Sequence, residues 1–161
     1  MKQLNPDIIP PRSQWGRFLM ALPAKRVVDL SEHFVSEGKW QVDRISREGL
    51  RLLPVQESTR GELFHLGEVP LTEIRVILKN PEGRELEGGA TLLDAAQDQV
   101  EAIAVLDALL SASVHGAEKI ALFLEEGQAV CEGIERERAY MRSRTRVDFS
   151  LLSDAEEETK P

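Results

Sequence analysis

The chain has 161 residues, and its 28 acidic and 20 basic side chains give a formal net charge of −8. A chain of this length can bury a core without the help of a metal or a disulfide. The acidic balance argues against general nucleic-acid binding, which relies on a cationic surface. The single cysteine, Cys131, excludes an intramolecular disulfide and a multi-cysteine metal site.

The sequence shows neither a signal peptide nor a membrane span. Its first residues contain no apolar run of signal-peptide length, and no segment approaches the roughly 20 apolar residues that a spanning helix needs. We therefore expect a cytoplasmic protein without a membrane partner.

The first predicted elements are two helices separated by Pro23. The apolar side chains of the first helix recur at the spacing of one helical face: Trp15, Phe18, Leu19 and Leu22. The second helix is predicted over 24–36, and Gly38 ends it.

From about residue 39 to 91 the apolar pattern changes to period two, which predicts an antiparallel sheet of four or five strands. The candidate segments are KWQVDRI, GLRLLPV, ELFHLGEV, LTEIRVILK and ELEGG. The clearest is LTEIRVILK, because Thr72, Ile74, Val76 and Leu78 alternate with charged residues. Such alternation is typical of a strand with one buried face.

Two long helices follow, one from about 92 to 113 and one from about 117 into the 140s. The complete order predicts an α+β fold with two N-terminal helices, a central antiparallel sheet and two long C-terminal helices. We expect residues 1–152 to form a single domain. The acidic tail, 153–161, is predicted to be disordered because it cannot bury apolar surface.

We find no catalytic or metal site in the chain alone. His33, His65 and His115 are not at metal-ligand spacing, and no phosphate loop or nucleophile elbow is present. His65 could act as a general acid or base, but a strand residue on a polar face is the simpler interpretation. Cys131 lies on the apolar stripe of a helix, which favours core packing over a nucleophile. We therefore expect the chain to work with a partner.

The end of the last predicted helix is rich in arginine. The five side chains are Arg136, Arg138, Arg142, Arg144 and Arg146. Favourable interaction with the helix dipole explains one or two of them. Phe149 follows close behind, and Arg with an aromatic residue is a typical anchor of protein interfaces. We predict a docking element for an anion or another protein chain; the alternative is a solvated helix face.

Five features, in this order, resemble a known family. They are Arg12-x-x-Trp15, Glu48-Gly49-Leu50, Phe64-x-x-Gly67-Glu68 with Leu71-Thr72 after it, Leu106-Asp107-Ala108-Leu109, and Thr145-Arg146-Val147-Asp148-Phe149. Over about residues 12–150 the sequence resembles the G subunit of the bacterial phosphonate carbon–phosphorus lyase system, the PhnG family.

The resemblance implies an obligate supporting subunit of a soluble core complex with the H, I and J subunits. With G and H, the I subunit displaces adenine from MgATP with an alkylphosphonate and forms ribose 1-alkylphosphonate 5-triphosphate. The radical-SAM J subunit later breaks the carbon–phosphorus bond. MgATP is then a substrate of the complex, and this chain alone binds no cofactor. The sequence leaves open whether two copies of the chain also dimerise within the complex.

The resemblance also implies residues for contact with substrate, phosphate or another subunit. They are Gly67, Glu68, Arg142, Arg144, Thr145, Arg146, Asp148 and Phe149. On this resemblance we interpret the chain as a divergent member, because Glu73, Ala95, Gln97 and Gln99 stand where the family usually has basic residues. These replacements favour the alternative of a non-catalytic binding or adaptor protein of the same fold outside phosphonate metabolism. A free-standing enzyme is the third option.

Overall fold

The computed structural model describes residues 9–144. The elements in chain order are α1 (Arg12–Met20), α2 (Ala24–Glu37), β1 (Gln41–Gln56), β2 (Leu63–Lys79), β3 (Glu85–Leu93), α3 (Gln97–Ser111) and α4 (Glu118–Arg144). The α+β class and the four helices are confirmed. The predicted number of strands is wrong, because the described residues form one antiparallel sheet of three strands in the order β1-β2-β3.

The strands are fewer because two of them are longer than predicted. KWQVDRI and GLRLLPV both belong to β1, and ELFHLGEV and LTEIRVILK both belong to β2. Gly49 and Pro70 do not end these strands, because Gly49 pairs with Leu71 and Leu50 pairs with Pro70. Proline lacks a backbone donor, but β3 pairs with β2 only as far as Leu71. Pro70 therefore lies where no third strand needs its N–H.

Two helices, α1 and α3, lie against one face of the sheet. Thr72, Ile74, Val76 and Leu78 are buried, as their alternation predicts, while the residues between them are exposed or half-buried. The centre of the core is α3, in which nearly every residue from Gln99 to Leu110 is buried. The predicted stripe of α1 is buried as well. The periodicity of the sequence therefore gives the buried faces correctly wherever helix and sheet meet.

Two glycines allow close packing in this core. A Cβ atom on Gly88 of β3 would lie 2.3 Å from the carbonyl oxygen of Ala104 in α3. A Cβ atom on Gly127 of α4 would lie 2.1 Å from the carbonyl oxygen of Phe18 in α1. Neither distance is compatible with a side chain, so both positions require glycine for contact between backbones.

The chain divides into two compact units, residues up to Val130 and residues from Cys131 onward, and α4 continues from the first into the second. Each unit is described by itself below. Ile134, which the helical pattern predicts to face inward, is 42% exposed. In the described range 9–144, no helix is both long enough and apolar enough to cross a bilayer.

Candidate functional site

The outer part of the β1–β2 hairpin, residues 49–70, forms what we call the arm. None of its residues is buried. At its tip, the Glu57 N–H donates to the Glu62 carbonyl at 2.9 Å, and the Gly61 N–H donates to the Glu57 carbonyl at 3.0 Å. Gly61 has a φ of 73°, which glycine adopts without strain. Backbone pairing and this turn therefore hold the arm in place without a hydrophobic core.

The arm exposes large apolar side chains. Their exposed fractions are 66% for Leu50, 50% for Leu52, 40% for Leu53, 68% for Leu63, 45% for Phe64 and 66% for Leu66. Single exposed apolar residues are normal, but a concentrated group rimmed by polar residues marks an interaction surface. Six such residues within one hairpin make the arm the candidate interface of the first unit.

Gly67 and Glu68, two of the predicted contact residues, lie on this arm. The register of β1 and β2 shifts between Leu52 and Pro54, where β2 has one extra residue at Leu66–Gly67. Such a β-bulge changes the direction of the side chains around it and is common near functional surfaces. A Cβ atom on Gly67 would meet no atom within 4 Å. The structure thus puts Gly67 and Glu68 among the exposed leucines of the arm.

The described arginines of the C-terminal cluster lie on the second unit. Arg142 and Arg144 are in the last turn of α4. The Arg144 guanidinium is 5.8 Å from the centroid of the Tyr140 ring, which is a cation–π contact. The Nε atom of Arg136 donates to the Glu132 carbonyl at 3.3 Å. These contacts hold two arginines against their own helix.

A shallow depression on the same stretch of α4 contains both signs of charge. It is lined by Glu132, Glu135, Arg136, Arg138, Ala139 and Arg142. A surface of mixed charge suits a protein partner better than a bare anion. The predicted residues Thr145, Arg146, Asp148 and Phe149 lie outside the described residues, so their role stays a prediction.

An ion pair between an exposed arginine and a buried carboxylate joins α1, β3 and α3. Arg12 donates from Nε to Oδ1 of Asp107 at 2.7 Å and from Nη2 to Oδ2 at 2.6 Å. The Gly89 N–H donates to the same Oδ2 at 3.0 Å. The Asp107 side chain is 8% exposed, and its hydrogen bonds raise the pKa of Arg12 above its ordinary value. This cluster, the Arg12–Asp107 clamp, fixes the start of α1 to the sheet and to the central helix.

Sequence reasoning missed the clamp, although a signal was present. Asp107 is an acid within an otherwise apolar stretch of the helix, residues 102–110, between Leu106 and Ala108. A carboxylate at such a position requires a cation or several donors. Arg12 is 95 positions away in the chain, so the identity of the partner could not be read from spacing.

The histidines are on the surface, and the cysteine is buried. His33 is within 3.3 Å of Glu37 and 3.4 Å of the Lys119 amine on the surface. His65 is exposed on the arm, and Cys131 is buried. Among residues 9–144, no three metal-ligating side chains come together in a way that could hold an ion.

A comparison with protein-family models matches residues 10–153 to the family of phosphonate metabolism protein PhnG. This match covers most of the chain. The chain belongs to the PhnG family. The resemblance drawn from the five sequence features is thereby confirmed. No curated protein matches the chain.

Features that carry the likeness to the PhnG family meet in space. Arg12 of the first feature binds Asp107 of the fourth through the clamp. The second feature pairs with the third across β1 and β2, where Glu48 lies opposite Thr72 and Gly49 opposite Leu71. Motifs far apart in sequence therefore form two structural contacts, one in the core and one at the base of the arm.

Three of the positions that the resemblance predicts to depart from the PhnG pattern lie at or just before the start of α3. The carbonyl of Ala95 accepts a hydrogen bond from the Thr72 hydroxyl at 3.4 Å. The Gln97 amide donates to the Ser46 hydroxyl at 2.9 Å, and Gln99 is 8% exposed. Of these three positions, Gln97 is the one whose neutral side chain joins α3 to the sheet.

The fourth of these predicted positions, Glu73, lies on β2 itself. Glu73 lies opposite Arg47 of β1 and Thr91 of β3, on the sheet face away from the helices. An acid opposite an arginine is a favourable cross-strand pair. The acid therefore lies directly opposite a basic residue of the neighbouring strand.

Proposed function

We propose that this chain is an obligate supporting subunit of a cytoplasmic phosphonate-processing complex. With partner subunits of the H, I and J types, the complex forms ribose 1-alkylphosphonate 5-triphosphate from MgATP and an alkylphosphonate and releases adenine. Membership in the PhnG family supports the pathway. The exposed arm supports the role of a subunit, because large apolar side chains are stabilised when a partner covers them.

The arm is the observation that carries the proposal beyond the family. Hydrophobic stabilisation is about 25 cal/mol for each Å² of apolar surface removed from water. Burial of these six large side chains by a partner would therefore contribute substantially to the free energy of binding. We assign to the arm the task of holding a partner subunit, with Leu50 and Leu52 of β1 as contact residues. MgATP and the phosphonate are bound by the assembled complex.

A second candidate is a binding or adaptor protein of the same fold outside phosphonate metabolism. The neutral or acidic residues at positions 73, 95, 97 and 99 favour it, because the family pattern has basic groups there. Basic groups near the start of a helix suit a phosphate, and their loss would weaken such a contact. Under this alternative the arm holds a partner, but the assembly releases no adenine.

The test is to co-express the chain with its candidate H, I and J partners and to purify the assembly through a tag on this chain. Adenine release from MgATP is then measured with and without methylphosphonate. Co-purification with phosphonate-dependent release supports the proposal. Co-purification without release points to a divergent complex that acts on another substrate. Absence of co-purification contradicts the proposal and leaves the adaptor as the alternative.

Variants then locate the contact. Leu50→Glu and Leu52→Glu are expected to abolish co-purification, because they put charges into a desolvated contact. Leu122→Glu is the matched control, since Leu122 is a leucine of α4 with 62% exposure that lies outside the arm. If the C-terminal segment also docks, Arg146→Glu and Phe149→Ala weaken assembly as well.

A further inference from the structure

An open sheet edge lies along the β2 side of the arm. β3 pairs with β2 from Lys79 to Leu71 and ends at Leu93. The next residue, Asp94, donates its N–H to the Pro70 carbonyl at 2.9 Å and has a φ of 51°, and the chain then turns into α3. Within the described chain, the backbone of 63–69 therefore pairs with β1 alone. An edge of this kind is a template for one more strand.

The bulge in β2 decides which side chains share a face at this edge. Leu52 pairs with Glu68, and Pro54 pairs with His65. Leu52 and Pro54 are two residues apart on β1 and lie on one face, and directly paired residues share a face. His65 and Glu68 therefore lie on the same face. In a regular strand their spacing of three would put them on opposite faces.

We propose that the edge from Phe64 to Val69 pairs with the same edge of a second copy of this chain, antiparallel and across a two-fold axis. In this register His65 lies opposite Glu68 of the second copy, and the two-fold axis repeats that contact. Phe64 lies opposite Val69, and Leu66 lies opposite Gly67. The two-fold axis is perpendicular to the sheet, so each residue of the second copy stays on the same face as in the first. Two residues that lie opposite each other must therefore share a face within one chain. The bulge puts His65 and Glu68 on one face and so meets this condition.

Each contact of this register is complementary. An imidazole opposite a carboxylate and an aromatic ring opposite a β-branched side chain are both favourable cross-strand pairs. Gly67 leaves the space above it open, so the exposed side chain of Leu66 from the second copy fits there. A two-fold interface requires a patch that complements itself, and these six residues meet that requirement.

The paired segment is short, which sets the expected strength. Six residues of strand span about 20 Å. An interface of that length lies at the small end of specific contacts, so we expect a weak dimer that forms only at high protein concentration. The pairing uses the edge of β2 and leaves the edge of β1 open to other subunits. It is a property of the chain alone and does not rest on the proposed function.

The test is sedimentation velocity of the full chain over a concentration series. Glu68→Lys removes both attractive pairs and sets a lysine opposite each His65, so we expect the dissociation constant to rise about ten-fold. His65→Glu combined with Glu68→Lys restores opposite charges and is expected to recover the wild-type dissociation constant. Glu48→Lys is the control, because it makes the same change of charge on an exposed glutamate of β1, away from this edge.

Weakening by Glu68→Lys with recovery in the double variant supports the pairing. A chain that stays monomeric throughout the series overturns it, as does a dimer that Glu68→Lys leaves unchanged or weakens no more than Glu48→Lys. A monomeric chain that still co-purifies with the H, I and J partners overturns the pairing and leaves the proposed function standing. The two failures are therefore distinguishable.

Discussion

The two halves of β2 contain similar numbers of apolar residues, but one half is buried and the other is exposed. From Thr72 to Leu78, alternate side chains are buried under the helices. From Leu63 to Pro70, the same strand holds Phe64 and Leu66 in the open. The difference lies in what covers each half. Helix α3 covers residues 72–78 of β2. No helix of the described chain lies over residues 63–70. An apolar residue in a strand therefore predicts a need for cover, and the cover need not come from its own chain.

The contrast predicts unequal costs for the same substitution in the two halves. Leu78→Ala is expected to lower the free energy of unfolding by about 2–5 kcal/mol, because it leaves a cavity in the core. Leu66→Ala is expected to change it by less than about 0.5 kcal/mol. Urea unfolding of the full chain measures both values. Equal costs would mean that the arm is also packed in the isolated chain.

Glycines sharpen the same comparison. Gly88→Ala forces a Cβ atom against the backbone of α3, and we expect a loss of about 1–3 kcal/mol from overpacking. Gly67→Ala meets no atom within 4 Å, so it is expected to be neutral or slightly stabilising. Thermal unfolding of the two variants beside the wild type provides the measurement. A destabilised Gly67→Ala would contradict the open space described at the bulge.

Burial is also expected to decide how much each ion pair contributes to stability, although the energies are smaller than those of the core substitutions. Asp107→Ala removes the acceptor for Arg12 and for the Gly89 N–H, and we expect a loss of about 1–2 kcal/mol from unsatisfied donors. Glu87→Ala removes the partner of Arg75 on the open face of the sheet, where a surface pair contributes about 0–1 kcal/mol. Chemical unfolding of each variant is the check. A loss at Glu87 as large as the loss at Asp107 would mean that burial does not govern these pairs.

The sequence predicts the helices and the buried half of the sheet because those depend on period and local chemistry. The alternation of LTEIRVILK and the apolar stripe of α1 both specify a face, and both faces are buried. The strand count fails at Pro70 because pairing with a neighbour, rather than the proline alone, decides where a strand ends. The clamp escapes prediction because Arg12 and Asp107 meet only through the tertiary fold.

The candidate site is predicted only in part. Gly67 and Glu68 come from the family resemblance, but neither residue signals that it lies on a bulge between exposed leucines. The bulge results from the register of β1 against β2, which no single strand specifies. The leucines of the arm show the opposite problem, because a pattern of apolar residues is the same whether the cover is a helix of the chain or another protein.

The smallest expected effect concerns the surface pair between Arg26 of α2 and Glu126 of α4. Two hydrogen bonds, at 2.5 and 2.8 Å, join the guanidinium to the carboxylate and lower the pKa of Glu126 below 4.5. The ionised carboxylate is therefore favoured in the folded chain. Its contribution to stability is present above pH 4.5 and is lost as the pH falls through the lower pKa of the folded state.

Glu126→Gln isolates that contribution, because it removes the titrating group and leaves Arg26 in place, 4.9 Å from the centroid of the Phe123 ring. The melting temperature of the wild type is expected to exceed that of the variant slightly at neutral pH. The difference should shrink as the solution is acidified below pH 4.5. A difference that stays constant across this range would assign the effect to packing of the side chain. The pair would then lack the charge-dependent part that distinguishes it from the apolar contacts of the core.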